Sequence, residues 1–396
     1  MKILFLDQSG KPGGAELCLL DTAKPYRDRC LVALFTDGPF RQLLEAQQVP
    51  VKILGTQAIR IQKESTFVQG LSSLERLLPL IVETTRLSQN YDLIYANTQK
   101  ALVVGAIASV LSHRPLVYHL HDILSLDHFS PANRAIAVKL ANRFASLVIA
   151  NSQATQAAFV AAGGQLNRTQ VVYNGFEPER YSQIHTDRNQ IRQQLDLLNP
   201  GFLVGHFSRL SPWKGQHILL NALAQCPTEI GAIFVGDALF GEQAYAQQLQ
   251  EQVIQLNLQD RVQFLGFRSD IVPLMAACDL VAHTSTAPEP FGRVIVEAML
   301  CGRPVLAAGA GGAVELVEPG KTGWLVPPGD ADALARAIAT CYTQSEETSR
   351  VANQAQIQAR HRFHLTSINQ QIAQLLDRVG SDRRFLAQHP LTQYPS

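Results

Sequence analysis

Short apolar runs alternate with longer segments of helical periodicity along most of the chain. Residues 2–7, 31–36, 51–54, 93–96, 116–120 and 147–150 are brief, apolar on successive positions, and bounded by polar or glycine-containing stretches. They read as strands buried on both faces. Between them, residues 15–23, 71–87, 101–111 and 132–144 repeat their apolar positions at helical spacing. This order predicts a parallel sheet with helices on both sides. The pattern then starts afresh, with strands expected at 202–207, 230–235, 262–267, 280–283, 304–307 and 323–326. Residues 174–200 separate the halves and are rich in Asn, Gln, Asp and Pro. After Asp330 helical segments continue to about Val379, and the tail from Gly380, with Pro390 and Pro395, reads as loosely ordered.

The fold class that follows is α/β, with two doubly wound, Rossmann-like domains facing a central cleft. We expect one domain over residues 1–190, a second over 191–362, and a C-terminal helix and tail over 363–396 that can return to the first. Ligands of such sheets bind beyond the C-terminal strand ends, so those ends are where chemistry is sought.

Composition narrows the function classes. The chain has 396 residues, of which 46% are hydrophobic and 17% charged, with a net charge of +1. That is enough apolar surface for two cores and too little charge for disorder. A near-neutral balance points to neither nucleic acid nor an anionic membrane as partner. Six cysteines, at 18, 30, 226, 278, 301 and 341, form no CxxC pair and read as buried free thiols in a reducing, cytoplasmic setting. The opening apolar run, residues 3–6, is too short for a secretory leader, and the longest, 101–111, is half a membrane span.

Residues 289–297, EPFGRVIVE, carry the clearest chemistry. They follow an expected strand and open a helix. Phe291 and Gly292 would bring backbone close to a ligand, and Val294 lies near a helix N-terminus that favours phosphate. Glu297, one turn in, could accept from ribose hydroxyls, and Glu289 from those of a sugar. In isolation the pair would more often be a loop Glu and a capping Glu. Gly311, Gly312 and Glu315 (GGAVE) form a second glycine turn between strand and helix. Arg209 and Lys214, in SRLSPWKG, follow the first strand of the second half and could neutralise a diphosphate. In the first half Gly10, Gly13 and Gly14 (GKPGGAE) link strand one to helix one.

These segments, with VQFLGFRSD, resemble glycosyltransferase family 4, the retaining glycosyltransferases of GT-B fold, from Met1 to about Tyr342. The resemblance implies that Glu289 binds donor-sugar hydroxyls beside the backbone of Phe291 and Gly292. It implies that Arg209 and Lys214 hold the diphosphate with amides near Val294, that Glu297 binds the ribose, and that Phe267 and Arg268 border the base. Gly13 and Gly14 would close over the diphosphate, and His121, followed by Asp122, would be the active-site histidine. His119, two positions earlier, faces the same side of the strand, and residue spacing does not separate them. Two positions depart from the family pattern. Ser208 stands where glycine is usual, and the Asn-Gly-x-Asp turn reads Asn174, Gly175, Phe176, Glu177.

The function implied is transfer of a sugar from a UDP-, GDP- or ADP-sugar to a hydroxyl of a saccharide, lipid or small-molecule acceptor, without metal or other cofactor. Asp330-Ala331-Asp332 has a DxD spacing used elsewhere for metals, but its place at a helix start is explained by capping. Two other classes stay open: a nucleotide-sugar isomerase or non-catalytic binding protein on the same fold, and a nicotinamide dehydrogenase using the first glycine turn with Asp37. GKPGG lacks the GxGxxG spacing of the latter. Residues 60–87, with Arg60 and Lys63 ahead of Leu71, Leu74, Leu77, Leu78, Ile81 and Val82, read as an amphipathic helix on the sheet that could also make peripheral membrane contact.

Overall fold

In a computed structural model of the chain, the residues described are 1–54, 70–125, 129–182, 188–195, 201–239 and 241–381, without the side chains of 70–76 and 182. They fall into two compact units, Met1–Gly175 joined by the segment from Leu365, and Phe176–His364. The first holds strands β1 (Ile3–Asp7), β2 (Cys30–Leu34), β3 (Val51–Ile53), β4 (Leu93–Ala96), β5 (Leu116–Leu120), β6 (Ala145–Ala150) and β7 (Thr169–Val171). All pair in parallel in the order β3-β2-β1-β4-β5-β6-β7. The second holds β8 (Phe202–Phe207), β9 (Ile230–Val235), β10 (Val262–Phe264), β11 (Leu280–His283), β12 (Val305–Ala308) and β13 (Trp324–Val326), parallel in the order β10-β9-β8-β11-β12-β13.

Every residue of β1, β4, β8, β9 and β11 is buried, which is why these strands read as unbroken apolar runs and not as alternation. In each unit the strand order reverses beside the first strand. The C-terminal ends of β1 and β4, and of β8 and β11, are therefore the two switch points where such sheets take ligands.

Three expectations shift. The edge strand β7 has no apolar run to announce it; it forms by pairing with β6. β10 stops at Phe264 because the chain turns at Gly266, whose φ is +63° and whose carbonyl accepts from Gly236 N–H at 2.8 Å. The units divide after Gly175, earlier than the expected boundary at 190, because Phe176 and the helix Arg188–Gln194 pack within the second unit. Arg188 and Arg192 both reach the Asp279 carboxylate and the Ala277 carbonyl, and Phe176 stacks on Phe291 with ring centroids 6.4 Å apart.

Helix Leu365–Ser381 returns to the first unit, burying Leu365, Ile368, Ile372 and Leu376 at helical spacing. The last three join the core of Ile3, Phe5, Val32 and Leu34. The tail 382–396 lies outside the described residues, as do Arg60, Lys63 and the side chains of Leu71 and Leu74. In helix Gly70–Ser88 the buried stripe runs through Leu80, Ile81 and Thr84 with Leu77 packed beside it, whereas Leu78 and Val82 face solvent. The apolar face expected there is thus rotated. Among the described residues no helix is long and apolar enough to cross a membrane.

All six cysteines are buried and free. Leu376 is fully buried, so Leu376→Ala is expected to cost about 2–5 kcal/mol. Urea denaturation followed by a probe in the first unit checks this.

Candidate functional site: the strand ends of the two units

At the end of β8 the chain passes through Ser208 and Arg209 into a short 3₁₀ turn, Pro212–Lys214. Gly215 closes that turn at φ +70°, and a Cβ there would lie 2.0 Å from the Thr284 carbonyl oxygen. Only glycine allows the turn to press this closely on the end of β11. The Thr284 hydroxyl bonds the carbonyls of Lys214 and Gly215, both at 2.9 Å, and Thr286 N–H donates to the Trp213 carbonyl at 2.8 Å. The two strand ends are thereby stitched into one platform.

On that platform Lys214 Nζ donates to Glu289 Oε2 at 2.7 Å. The same oxygen accepts from Ser285 Oγ at 3.0 Å and lies 3.3 Å from His283 Nε2. Burial pushes the Glu289 carboxyl up, but the Lys214 ammonium and the His283 contact outweigh it and hold the group below the usual carboxylate range. Lys214 also sits 4.0 Å from the Trp213 ring centroid, and the Arg209 guanidinium 5.7 Å from it. Two cations and a carboxylate thus meet around one indole.

The second glycine turn holds this loop from behind. Gly311, at φ +62°, bridges to Glu289, and Gly312 N–H donates to the Glu289 carbonyl at 2.6 Å. A Cβ on Gly311 would lie 2.3 Å from that carbonyl oxygen, and one on Gly312 2.6 Å from the Pro290 oxygen. These glycines serve backbone against backbone. Phe291 puts its ring into the core against Phe176 and Phe363, which leaves its backbone at the site. Gly292 caps helix Arg293–Leu300 at φ +94°. Val294 lies in the first turn, and Glu297 one turn along pairs with Arg293 at 3.6 Å.

Ser208, the departure from the family's glycine, has a role of its own. Its hydroxyl accepts from Gln216 Nε2 at 2.9 Å, and Gln216 also donates to the Arg209 carbonyl at 2.9 Å. The serine therefore helps fix the strand end that carries Arg209. Phe267 is 72% exposed, with its ring open to a planar ligand, while the Arg268 guanidinium is engaged with Asp270 at 2.5 and 2.8 Å. Asp330 accepts from Ala333 N–H at 2.8 Å as a helix cap.

In the first unit, Asp7 ends β1 fully buried. It accepts from Ser9 N–H at 2.8 Å and from Asn97 Nδ2 at 2.7 Å. Burial raises its pKa to about 6 against these bonds. Asn97, just past β4, also donates to the Ala15 carbonyl at 3.1 Å and presents Oδ1 to His121 Nε2 at 2.8 Å. His119 lies inside β5, 1% exposed, with Nδ1 2.6 Å from Tyr95 Oη. Burial lowers its pKa to about 3. His121 stands beyond the strand end, partly exposed, so the structure separates the two histidines where residue spacing did not.

The first glycine turn divides in two. Gly10 packs on the Asp37–Gly38 backbone, where a Cβ would lie 2.3 Å from the Asp37 oxygen. Gly13 and Gly14 are exposed at the start of helix Gly14–Ala23. Glu16 turns its carboxylate back toward the N–H groups of Gly13 and of Glu16 itself, as in a capping box. Its pKa is raised to about 8 by burial and by the charges of Asp7 and Asp122. Asp37, the carboxylate a nicotinamide site would need, bonds Gly38 N–H at 2.8 Å and pairs with Arg41 at 3.1 Å.

The structure brings Arg209, Lys214 and Glu289 together around Trp213. Asn97, Tyr95, His283, Thr284 and Ser285 join these sites without belonging to any of the motifs in the sequence. For Asn97, His283 and Thr284 the signal is position: a polar residue ending a strand, or directly after one, at a sheet's switch point.

The family described as Glycosyltransferase Family 4 matches residues 12–180, and that described as Glycosyl transferases group 1 matches residues 187–358. Among solved structures, Anabaena Alr3699/HepE in complex with UDP-glucose is 60% identical, with a TM-score of 0.89 over 96% of this chain and 100% of that one. The same protein is also known with UDP and glucose. Sucrose-phosphate synthase from Thermosynechococcus elongatus shares the fold at 21% identity, with a TM-score of 0.79 over 96% of this chain and 98% of that one. D-inositol 3-phosphate glycosyltransferase of Mycobacterium sp. (strain KMS) is 29% identical over 284 residues, 69% of this chain. The match spans 64% of that relative's length.

Two outcomes follow from this geometry. Gly311→Ala should destabilise by about 1–3 kcal/mol or more, from the left-handed φ alone, measured by urea unfolding. His119 is held neutral, with a folded pKa of about 3 against an ordinary 6.5. Its contribution is present above the unfolded value and lost as pH falls through it toward the folded one. Below about pH 6.5 the unfolded chain binds the extra proton, so His119→Gln should flatten the fall in stability by about 1.4 kcal/mol per pH unit. Unfolding free energies of both proteins at pH 7 and pH 5 check it.

Proposed function

The chain belongs to the group 1 glycosyltransferases of family 4, and from that premise we propose that it transfers a hexosyl unit from a nucleotide sugar to an acceptor hydroxyl with retention of anomeric configuration. One observation carries this reading: Arg209, Lys214 and Glu289 converge at the switch point of the second sheet, two cations beside a carboxylate. The cations match a diphosphate, and the carboxylate matches sugar hydroxyls. Because HepE, 60% identical, was crystallised with UDP-glucose, UDP-glucose is the donor proposed here.

Lys214 and Arg209 neutralise the two phosphates, with the helix N-terminus at Gly292–Val294 adding its positive end. Glu289 accepts from the donor sugar and keeps its charge because Lys214 stays beside it. Glu297 takes the ribose hydroxyls, and the exposed Phe267 ring stacks on the base with the backbone at Arg268 along its edge. His121 lies beside the donor sugar, and Gly13 and Gly14 approach the diphosphate. As the bond from the anomeric carbon to the β-phosphate oxygen breaks, charge builds on the departing phosphate, where the two cations stabilise it most. The acceptor oxygen bonds the anomeric carbon on the same face, and its proton passes to that phosphate. Protein cations fill the charge-neutralising role that a metal takes elsewhere, so the reaction needs none. The acceptor is a saccharide, lipid-linked or small-molecule hydroxyl. Six free buried thiols suit work in a reducing cytoplasm.

Chelator-treated protein is to be incubated with UDP-, GDP- and ADP-glucose and a panel of sugar acceptors, with product anomers read by NMR. We expect consumption of UDP-glucose, an α-linked product and no loss with EDTA. Lys214→Ala and Glu289→Gln should each lower the rate by about 10²–10³-fold. A near-normal rate in either variant, an inverted product, or activity lost with EDTA would overturn the reading.

A further inference from the structure

Beside the acid–amide–histidine chain of the first unit lies a cluster that the transfer reaction does not use as a whole. Cys18, in helix Gly14–Ala23, and His119 and His121, at the end of β5, each bring one ligand atom to within 4.8 Å of the others. Cys18 is 4% and His119 1% exposed, and the imidazole centroids are 3.9 Å apart. His119 Nε2 is fully buried with no hydrogen-bond partner among the described residues, a costly state for a ring nitrogen. We propose that Cys18, His119 and His121 form a binding site for a single thiophilic divalent cation such as Zn²⁺, and that the cation acts as an inhibitor of sugar transfer.

The surroundings of both rings fit that assignment. A metal-ligating histidine usually gives its other N–H to an oxygen, which fixes the tautomer. His119 Nδ1 faces Tyr95 Oη, so a proton on Nδ1 leaves the orphaned Nε2 with a lone pair. His121 Nε2 faces Asn97 Oδ1, whose direction is set because Asn97 Nδ2 donates to Asp7 and to the Ala15 carbonyl. An acceptor there requires the proton on Nε2 and puts the lone pair of His121 on Nδ1.

The ligand set is chemically selective. One thiolate and two neutral imidazoles, with a fourth position left for water, is a zinc-type set and a poor one for Mg²⁺ or Ca²⁺. Bond lengths of about 2.3 Å to sulfur and about 2.0–2.1 Å to nitrogen put tetrahedral ligand atoms roughly 3.5 Å apart. The side chains therefore close by about 1 Å through rotamer adjustment on rigid elements. On binding, the Cys18 sulfur forms the bond to the metal and its proton leaves to solvent, while both imidazoles stay neutral. One proton is released per cation, and the electron count of every partner is unchanged. A bound cation takes the lone pair of His121 and so withholds it from a sugar. This consequence rests on the role proposed for His121; the site itself does not.

The test uses the full chain, stripped with chelator and titrated with Co²⁺, then Zn²⁺. We expect one Co²⁺ per chain, a near-ultraviolet thiolate-to-cobalt charge-transfer band, and loss of the band as Zn²⁺ displaces it. Cys18→Ser should abolish the band and keep basal transfer. Tyr95→Phe, which keeps the ring and removes its oxygen, should weaken binding about 10–100-fold. Micromolar Zn²⁺ should inhibit the parent and spare Cys18→Ser. A parent without the band, or a band that survives in a folded Cys18→Ser or Cys18→Ala, overturns the site. If the band behaves as expected but Zn²⁺ does not inhibit transfer, the inhibitory role falls. A chain with no transfer activity at all counts against the proposed reaction and leaves the absorption test intact.

Discussion

A lysine ammonium and a glutamate carboxylate 2.7 Å apart, their side chains 15% and 13% exposed, set the terms for the second unit. Withdrawing either charge from water alone is costly, and removing one partner of such a pair commonly costs about 3–5 kcal/mol. The pair persists because the surrounding backbone admits few other arrangements. Gly215 lets the Lys214 turn press on Thr284, and Gly311 and Gly312 clamp the loop that carries Glu289. Ser285 and His283 occupy the same carboxylate oxygen, so Glu289 remains charged and aimed. A ligand bearing phosphate on one side and hydroxyls on the other meets this pair already ordered, which lowers the cost of organising charge on binding.

The first unit solves a comparable problem with different chemistry. At its switch point a buried acid, Asp7, orients an amide, Asn97, which in turn faces His121 Nε2. The sheet thus fixes the protonated nitrogen of a partly exposed ring without burying the ring itself. Both sites depend on the same topological fact, the reversal of strand order beside the first strand of each sheet. The reversal opens a crevice at two strand ends. Polar residues there need no place in the apolar core.

Much of this was legible in the sequence, for a physical reason. Strands covered on both faces must be apolar at every position, so runs such as 202–207 and 230–235 declared themselves. An edge strand such as Thr169–Val171 is defined by its partner and left no signature. The division after Gly175 has no signature in the sequence because it is set by Arg188 and Arg192 attaching to Asp279 and by Phe176 stacking on Phe291. The arginine contacts bridge about 90 positions of sequence, and the aromatic contact bridges more. Lys214 and Glu289 stand out from motif spacing, and GGAVE reads as a glycine turn between strand and helix, but its packing against the Glu289 backbone is a long-range contact that the sequence does not display. Asn97 and Tyr95 stayed hidden because their importance lies in which ring nitrogen they face.

The proposed transfer requires Lys214 and Glu289 to act as one unit toward the donor. A double-mutant cycle of UDP-glucose affinity by calorimetry, using Lys214→Met, Glu289→Gln and both together, tests this directly. Each single variant is expected to lose most of the affinity and the double to lose little more, leaving a coupling of at least about 1 kcal/mol. Losses that simply add, or an affinity indifferent to either change, would contradict it.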